Sequence, residues 1–328
     1  MKDLQKICWT ITDEFPGMKS QVMGLAEAIG LPCLHKTCKR RWPWGWLGLS
    51  FGNPLAQLTS ESDPLSPPWP DLVISCGRRS APLALAIKKQ CKGKTLCVHL
   101  QNPILNIEAF DLIVCPEHDA LKGSNVVSTK GALHKVTLSK LEEGIKFYGN
   151  LFEKFPRPYS TVLLGGTTNR YKMSQNAIED IIQKVLLIRN KTQGSVFVTP
   201  SFRTPFRDIL TSALQKEPNI FLADIETLNP YFAMLGLADF LFVTDDSVNM
   251  ICEACFTGKP VYSLPLLGHH NTKPQRFIQS LIQEGTIRAF EGEIDSWTYV
   301  PFNDTEKIAL IVRKLMKLKG ENLNGSKD

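Results

Sequence analysis

The sequence predicts an α/β protein built from two doubly wound domains with mainly parallel sheets. Short apolar runs alternate with segments of helical periodicity along most of the chain, which is the pattern of βα units. The 328 residues suffice for two sizeable hydrophobic cores. A hydrophobic fraction of 43% and a charged fraction of 21% are typical of a globular protein and exclude a wholly disordered or fibrous chain.

The first predicted domain covers residues 1–155. Its strands are expected at 7–11, 33–36, 72–75, 95–100 and 112–115, and its helices at 18–29, 81–90 and 138–152. Segment 52–70 contains five prolines and no apolar period, so we expect a mobile surface loop there. Two prolines within 155–160 interrupt regular structure and predict the linker to the second domain.

The second predicted domain covers residues 160–302 and has the same alternation. Its strands are expected at 161–164, 195–198, 220–222, 240–243 and 261–264, and its helices at 174–190, 205–216, 229–236, 247–257 and 273–284. A terminal helix follows at about 304–319. Open parallel sheets bind ligands beyond the carboxyl ends of their strands, so we expect the functional site in a cleft between the two domains.

Composition limits the classes of function. The net charge of +6 suits anionic small molecules or an anionic membrane surface, but it is too small to indicate a nucleic-acid-binding protein. Nine scattered cysteines, with no long apolar signal core among the first residues, predict thiols in a reducing cytoplasm. No apolar run has the length of a membrane-spanning helix, and the most apolar strip, 235–243, contains Asp239.

Segment 244–260 carries the strongest signal for a ligand. A Thr-Asp-Asp-Ser turn at 244–247 follows a predicted strand, and a cap at Asp246 or Ser247 opens a helix whose N-terminal N–H groups suit a phosphate. Glu253 lies about one and a half turns later, where its carboxylate can accept both hydroxyls of a ribose. An ordinary capped helix with a solvated glutamate is the alternative.

Two further signals follow predicted strands of the second domain. Gly165 and Gly166 come directly after strand 161–164, where glycines let backbone N–H groups approach an anion closely. Arg203 follows strand 195–198 and suits a diphosphate, although an ordinary surface arginine is the alternative. We call the ligand with these phosphates and this ribose the donor, and the residues predicted to bind it are Gly165, Gly166, Thr167, Ser201, Arg203, Thr244, Asp246, Ser247, Glu253 and Lys259.

Polar residues also follow the predicted strands of the first domain. His118, flanked by Glu117 and Asp119, suits a general base because histidine titrates near neutrality, and Asp13 is the rival base. Turn or cap roles are the alternative for each. Two arginines at a predicted helix start, where the helix dipole disfavours cations, indicate an anionic ligand. The predicted acceptor- or anion-binding residues are Gly17, Gln21, Gly77, Arg78 and Arg79.

A basic aromatic stretch predicts a contact with an anionic membrane. It contains Arg40, Arg41, Trp42, Trp44 and Trp46, and tryptophan beside basic residues is typical of proteins that lie on membrane surfaces. Packing of these rings against the domain is the alternative. Nucleic-acid stacking would use similar residues, but no recognised nucleic-acid module accompanies them, so no nucleic-acid partner is predicted.

Cys252 and Cys255 have the spacing of half a zinc site. A four-ligand site needs a second pair, and no nearby cysteine or histidine pair has a matching pattern. We therefore predict no metal, and no cofactor other than a nucleotide-sugar bound as substrate.

Taken together, these motifs resemble one family. The residues that carry the resemblance are Gly17 with Gln21, the segments 77–82, 101–103 and 116–119, Gly131, Gly165-Gly166, Ser201 with Arg203 and Thr204, Asn229-Pro230-Tyr231 and 244–260. Over about 8–292 they resemble the mitochondrial fission factor (elongated-mitochondria) family in its bacterial form. The EAxxxGKPV pattern that begins at Glu253 is similar to the donor-binding segment of GT-B glycosyltransferases and of the related sugar-nucleotide 2-epimerases. Phe202 is a departure, since the family often has a second basic residue there.

The resemblance implies a GT-B-like architecture of two Rossmann-like domains facing across a cleft, with the terminal helix, 303–320, crossing back to the first domain. With the motifs, it leads to the hypothesis of a cytoplasmic, metal-independent glycosyltransferase at the inner face of a membrane. Its acceptor would be an envelope lipid or a glycolipid such as lipopolysaccharide. Two alternatives stay open: a nucleotide-sugar epimerase or hydrolase, and a non-catalytic factor that recruits a partner to a membrane.

Overall fold

The computed structural model describes residues 6–44, 52–168, 171–268 and 272–325, with the side chains at 118, 273 and 320–325 left aside. The strands are β1 (Cys8–Thr12), β2 (Cys33–Thr37), β3 (Leu72–Cys76), β4 (Leu96–Leu100), β5 (Leu112–Pro116), β6 (Val126–Thr129), β7 (Tyr159–Leu164), β8 (Ser195–Pro200), β9 (Ile220–Leu222), β10 (Phe240–Thr244), β11 (Val261–Leu264) and β12 (Arg288–Ala289). The helices are α1 (Pro16–Ile29), α2 (Ala81–Gln90), α3 (Leu138–Tyr148), α4 (Gln175–Thr192), α5 (Arg207–Leu214), α6 (Tyr231–Leu237), α7 (Val248–Phe256), α8 (Lys273–Gln283) and α9 (Asp304–Gly325).

The chain divides into two compact units, Met1–Lys135 with Asn303–Asp328, and Val136–Phe302. The first unit contains a parallel sheet in the order β2-β1-β3-β4-β5-β6. Strands β1, β3 and β4 are buried throughout, which explains why they read as continuous apolar runs in the sequence. The strand order reverses between β1 and β3, so the residues that follow Thr12 and Cys76 lie side by side.

The second unit contains a parallel sheet in the order β12-β11-β10-β7-β8-β9. Read from β9, this is the strand order of the dinucleotide-binding Rossmann fold, with its reversal between β7 and β10. The two strands pair in parallel from Phe240 opposite Ser160 to Val243 opposite Leu163. The loops after β7 and β10 are therefore neighbours at the edge where such sheets bind ligands. The two sheets confirm the predicted α/β class with doubly wound domains.

The terminal helix α9 is part of the first unit. Asp304 accepts a hydrogen bond from the backbone N–H of Lys130 at 2.9 Å, and the Arg313 guanidinium donates to the carbonyl oxygen of Ala28 at 2.5 Å. Three apolar side chains of α9 lie in the same core as those of α1: Ile308, Ala309 and Val312. Burial of this apolar face explains why the chain returns to the first unit after leaving the second.

The boundary between the units falls after Lys135, about twenty residues before the expected linker. The segment 155–160 belongs to the second unit, where Asp239 binds it from the start of β10. Its carboxylate accepts hydrogen bonds from the backbone N–H of Tyr159 at 2.7 Å and from Arg157 at 2.9 Å. Helix α3, expected in the first domain, packs on α6 in the second. The prolines of this segment therefore come just before β7 and lie inside the second unit.

Other differences from the expected elements are local. Strands β6 and β12 were not predicted, because an edge strand of two to four residues is too short to show a period. The proline-rich segment 52–70 was expected on the surface, but Leu65 is buried in the core of the first unit. Leu58 also forms an isolated bridge with Arg40. Prolines exclude regular strands, but they do not prevent apolar side chains from packing.

Candidate functional site

At the carboxyl edge of the second sheet, the loops after β7 and β10 are joined by hydrogen bonds. The backbone N–H of Gly165 donates to the Thr244 hydroxyl at 2.8 Å, and that of Gly166 donates to Asp246 Oδ2 at 2.9 Å. The Thr244 hydroxyl in turn donates to Asp246 Oδ1 at 2.7 Å. The sequence predicted that the two glycine N–H groups would face a phosphate. In the structure the Thr244 hydroxyl and the Asp246 carboxylate accept from them instead.

The two glycines are required by close approach of neighbouring loops. A Cβ atom at Gly165 would lie 2.1 Å from Asp246 Oδ1, and one at Gly166 would lie 2.1 Å from the backbone oxygen of Arg203. Atoms this close overlap, so any side chain here would push the loops after β8 and β10 away from β7. The glycine signal in the sequence therefore reflects packing at this edge.

Asp246 is buried beneath Arg203. Burial raises the pKa of the Asp246 carboxyl, while the Gly166 N–H, the Thr244 hydroxyl and the Arg203 guanidinium act in the opposite direction. One Arg203 Nη atom lies 3.5 Å from Asp246 Oδ2, and 35% of the Arg203 side chain is exposed. Arg203 thus rests on a buried carboxylate and still presents part of its guanidinium to solvent.

The loop after β8 is attached to the loop after β7 by hydroxyl groups. Ser201 Oγ donates to the carbonyl oxygen of Gly165 at 2.8 Å, and Thr204 Oγ1 donates to the same oxygen. The Thr167 N–H donates to the Arg203 carbonyl at 3.0 Å. These contacts place Ser201 and Thr167 in the scaffold that positions Arg203.

Helix α7 begins directly after Ser247. Ser247 is buried, and among the described residues its side chain makes no capping hydrogen bond, while the Asp246 carboxylate binds the β7 loop. Ser247 therefore occupies the N-cap position, one of the two predicted for it, but its side chain does not make the capping hydrogen bond. The first turn of α7 contains no acidic side chain, and the positive end of its dipole lies at the edge of the sheet.

The buried Glu253 of α7 pairs with Tyr231, a half-buried residue at the start of α6. Glu253 is 6% exposed, and the Tyr231 hydroxyl donates to its Oε2 atom. Burial and the adjacent Glu253 charge raise the pKa of Tyr231 well above its ordinary value. The tyrosine hydroxyl orients the Glu253 carboxylate through this hydrogen bond. Sequence reasoning included Tyr231 in the Asn229-Pro230-Tyr231 motif but missed this positioning role.

Lys259, expected among the donor-binding residues, binds backbone carbonyl groups of the protein itself. Its ammonium donates to the carbonyl oxygens of Leu235, at 3.2 Å, and Gly236, in the last turn of α6. Burial lowers the pKa of Lys259 to about 8. A cation at this end of α6 satisfies carbonyl groups that have no partner within the helix and interacts favourably with the helix dipole. Lys259 therefore stabilises the helix whose first residue is Tyr231.

In the first unit, Asp13 and Arg79 meet where the loops after β1 and β3 lie side by side. Arg79 Nη1 lies 3.2 Å from Asp13 Oδ2. Burial raises the pKa of Asp13, against the opposing effect of Arg79. Arg78 is exposed. Gln21 is buried and its side-chain oxygen accepts from the Gln101 amide at 3.4 Å, which links α1 to the end of β4.

The Asp13–Arg79 pair opens into a cavity of about 440 Å³, which we call the Arg79 pocket. Its lining includes Asp13, Phe15, residues 38–42 and Arg79. Arg40, Arg41 and Trp42 from the basic aromatic stretch thus share one pocket with the predicted anion-binding arginine, a relation that the sequence did not show. Trp44 is half-buried outside this lining, and Trp46 lies outside the described residues. Gly17 lies in the first turn of α1, and Gly77 is buried at the end of β3.

The two rival bases lie at different positions along the first sheet. Glu117, His118 and Asp119 form a short 3-10 turn after β5, and the His118 side chain lies outside what the structure describes. Glu117 is exposed, while Asp119 is half-buried with the Cys115 thiol 3.5 Å from its carboxylate. Three strand spacings separate β5 from β1, or about 14 Å. Asp13 is the base candidate whose surroundings are described.

Three further findings concern metals, thiols and membranes. Within the described ranges, no group of three or more His, Cys, Asp or Glu side chains is arranged to hold a metal ion. All nine cysteines lie in those ranges and are thiols. None of the helices in the described part of the chain combines the length and the apolar content needed to cross a bilayer.

Solved structures with similar folds include nucleotide-sugar enzymes. The Methanocaldococcus jannaschii UDP-GlcNAc 2-epimerase, in complex with UDP-GlcNAc and UDP, aligns with a TM-score of 0.55 at 13% identity over 95% of this chain and 99% of that one. The glycotransferase of kitacinnamycin aligns with a TM-score of 0.52 at 10% identity, covering 96% of each chain. At such identities the likeness concerns the fold, and it confirms the GT-B resemblance inferred from the sequence.

Sequence relatives extend along most of the chain. Mitochondrial fission protein ELM1 of Arabidopsis thaliana is 29% identical over 297 residues, which cover 82% of this chain and 68% of that protein. An uncharacterized protein of Rickettsia prowazekii is 26% identical over 295 residues, which cover 76% of this chain and 80% of that protein. The family model described as Mitochondrial fission ELM1 matches residues 16–316 and so spans both units. This chain therefore belongs to the Mitochondrial fission ELM1 family, as its motifs had indicated.

Proposed function

We propose that the second unit binds a nucleotide-sugar and that the protein is a metal-independent glycosyltransferase. One observation carries the proposal: beside the strand-order reversal of a sheet with Rossmann order, a partly exposed arginine follows β8, and the helix after β10, with no acidic side chain in its first turn, carries a buried glutamate that is oriented by a tyrosine. Arginine and helix N-termini bind phosphate, and carboxylates bind ribose hydroxyls.

Each of these groups has a role in the proposed complex. Arg203 binds the diphosphate and stabilises the charge that develops on it as it leaves. The N–H groups at the start of α7 bind a phosphate, because the Gly165 and Gly166 N–H groups already donate to protein atoms. Glu253, held by Tyr231, accepts the ribose hydroxyls.

In this proposal the first unit binds the acceptor molecule and provides the general base. In the transfer, the acceptor oxygen bonds to the anomeric carbon of the sugar, and the bond from that carbon to the diphosphate oxygen breaks. The acceptor proton passes to the Asp13 carboxylate, whose raised pKa makes it a better proton acceptor than an ordinary aspartate. An envelope lipid or glycolipid at the inner face of a membrane is the proposed acceptor, since Trp42 and neighbouring cations are at the surface.

Binding is the first test. Isothermal titration with UDP-, GDP-, CMP- and ADP-sugars should find a ligand, and UDP-GlcNAc comes first because related folds have been solved with it. Arg203→Ala should weaken binding by about tenfold or more, the loss of roughly one charge-assisted contact. Arg288→Ala is the control, since Arg288 is a partly exposed arginine of the same unit paired with Asp295. Equal affinity of Arg203→Ala and the unmodified protein would refute the site.

Product analysis separates the classes of activity. Transfer of the sugar to an acceptor supports the glycosyltransferase, whereas epimerisation or release of the sugar without an acceptor supports the alternative enzyme class. Absence of binding throughout the panel would favour a non-catalytic role on this fold, in line with the family's description as fission proteins.

A further inference from the structure

The Arg79 pocket of the first unit combines positive charge, exposed aromatic rings and a buried acceptor atom. We propose that it binds a phosphate ester that carries a hydroxyl group, such as a sugar phosphate or a hydroxyl-bearing phospholipid headgroup. The phosphate contacts Arg79 and Arg41, the hydroxyl donates to Asp13, and the body of the ligand packs on Phe15 and Trp42. The inference rests on the proposed function only where it identifies this ligand as the acceptor.

The charge of the lining favours an anion. Four basic side chains line the pocket against two carboxylates, Asp13 and Glu14, which leaves an excess of two positive charges. Arg41 donates through Nε to the carbonyl oxygen of Leu58 at 2.9 Å, and neither of its terminal nitrogens has an ion-pair partner among the described residues. A guanidinium in this state can bind a phosphate oxygen through its two terminal amino groups.

Helix α1 adds to this preference. It begins at Pro16, next to the lining residue Phe15, and its first turn contains no acidic residue. Phe15 offers no capping side chain to the first N–H groups. The positive end of a helix dipole therefore lies beside the pocket, where it stabilises a negative charge.

Asp13 determines a second group that the ligand must have, which is a hydrogen-bond donor. Its Oδ2 atom pairs with Arg79, whereas its buried Oδ1 atom has no hydrogen-bond partner among the described residues. A buried carboxylate oxygen without a donor is costly, and a hydroxyl group is the neutral donor that can satisfy it beside an arginine-bound phosphate. Sulfate, which has no hydrogen to donate at neutral pH, satisfies the arginines but leaves this atom without a donor.

The aromatic residues define the body of the ligand. Trp42 is 84% exposed and Phe15 is 40% exposed, and both line the pocket. Exposed rings beside cations pack against the C–H faces of a sugar ring or against the upper acyl chain of a lipid. Sugar rings and acyl chains both occur in phosphate esters that carry a hydroxyl group. A soluble ligand and a lipid ligand would therefore offer the same groups to the pocket.

The experiment has a soluble arm and a lipid arm. The soluble arm is isothermal titration with glucose 6-phosphate, compared with sulfate and glucose. The lipid arm is sedimentation with phosphatidylcholine vesicles that contain phosphatidylglycerol, compared with vesicles of equal phosphatidylmethanol content, whose headgroup has the same charge and no hydroxyl. We expect binding in at least one arm, with the phosphate ester preferred to sulfate or phosphatidylglycerol preferred to phosphatidylmethanol. No binding in either arm, or equal binding of both members of each pair, overturns the proposal.

Variants locate the ligand in the pocket. Arg79→Ala and Arg41→Ala should each weaken binding by about tenfold or more, whereas Lys122→Ala, an exposed lysine of the same unit, should leave it unchanged. Asp13→Asn should reduce the preference for the hydroxyl-bearing ligand. Arg79→Lys keeps the charge without the planar fork and serves as a second test if Arg79→Ala unfolds. Unchanged affinity in both arginine variants contradicts the assignment.

Parallel titration with a nucleotide-sugar separates this inference from the proposed function. Arg203→Ala should lose nucleotide-sugar affinity and keep pocket binding, and Arg79→Ala should show the reverse. If the nucleotide-sugar fails to bind while the Arg79 pocket binds its ester, the proposed function is refuted and the pocket assignment stands.

Discussion

Replacing Gly166 by alanine tests the contact that joins the loops after β7 and β8. The new Cβ atom would lie 2.1 Å from the backbone oxygen of Arg203, where real contacts are at least 3.0 Å. Because the obstacle is backbone, one loop must move by roughly 1 Å. The movement stretches the hydrogen bond from the Thr167 N–H to Arg203, at 3.0 Å, and that from the Gly166 N–H to Asp246, at 2.9 Å.

The expected cost follows from these contacts. The hydrogen bond of the buried Gly166 N–H costs about 1–3 kcal/mol when it weakens or breaks, the bond at the exposed Thr167 costs about 0.5–1.5 kcal/mol, and alanine returns only about 0.4–1 kcal/mol by restricting the unfolded chain. We therefore expect Gly166→Ala to lower the free energy of unfolding by about 1–4 kcal/mol. For a unit of this size, that loss corresponds to roughly 3–15 °C in melting temperature.

Urea unfolding monitored by circular dichroism measures this change, with calorimetry for the melting temperature. Gly149→Ala is the matched control, because Gly149 has a helical backbone and a Cβ there would have its nearest neighbour at an ordinary 3.8 Å. Gly166→Ala should also lose nucleotide-sugar affinity, since Arg203 moves with its loop. If Gly166→Ala is as stable as Gly149→Ala, the close approach of the two loops is not the reason for this glycine.

Three other predictions concern single side chains. Tyr231→Phe removes the hydroxyl that donates to Glu253, so it should lower the free energy of unfolding by about 1–3 kcal/mol and weaken nucleotide-sugar binding; unchanged values in urea unfolding and titration contradict the pairing. The pKa of Lys259 is lowered by burial from 10.5 to about 8, so the folded protein binds fewer protons than the unfolded chain between these values and its stability should rise with pH there. Lys259→Met should remove that rise, and a pH-independent difference between the two proteins in urea unfolding would show the reasoning to be wrong. Trp42→Ser should change the melting temperature little, because the indole is 84% exposed, while reducing sedimentation with phosphatidylglycerol vesicles; a large loss of thermal stability would place Trp42 in the core instead.

Most strands and helices could be predicted from the sequence, because their signals are local. Strand 220–222 and helix 81–90 have the predicted bounds, and most other elements differ by one to three residues. Apolar runs and helical periods depend only on which residues face the core within one element. The same reasoning failed for the domain boundary, because the contacts of Asp239 with Tyr159 and Arg157 join residues about 80 positions apart.

The sequence placed the candidate site residues at the ends of strands, but it did not show which groups they contact. Glycines, arginines and carboxylates after strands are visible in the sequence, and parallel strands direct these residues to one edge of each sheet. Tertiary structure decided that Gly166 donates to Asp246 and that the Lys259 ammonium binds α6. It also brought Arg79 together with residues 38–42.

The sequence by itself determined the fold class, the family and the loops that hold the candidate site residues. Only the tertiary structure decided which donor meets which acceptor, because the strand-order reversals beside β1 and β7 bring together loops that are far apart in the chain. A hydrogen bond or ion pair depends on distances of about 3 Å, whereas sequence patterns specify only the face or the end of an element on which a residue lies.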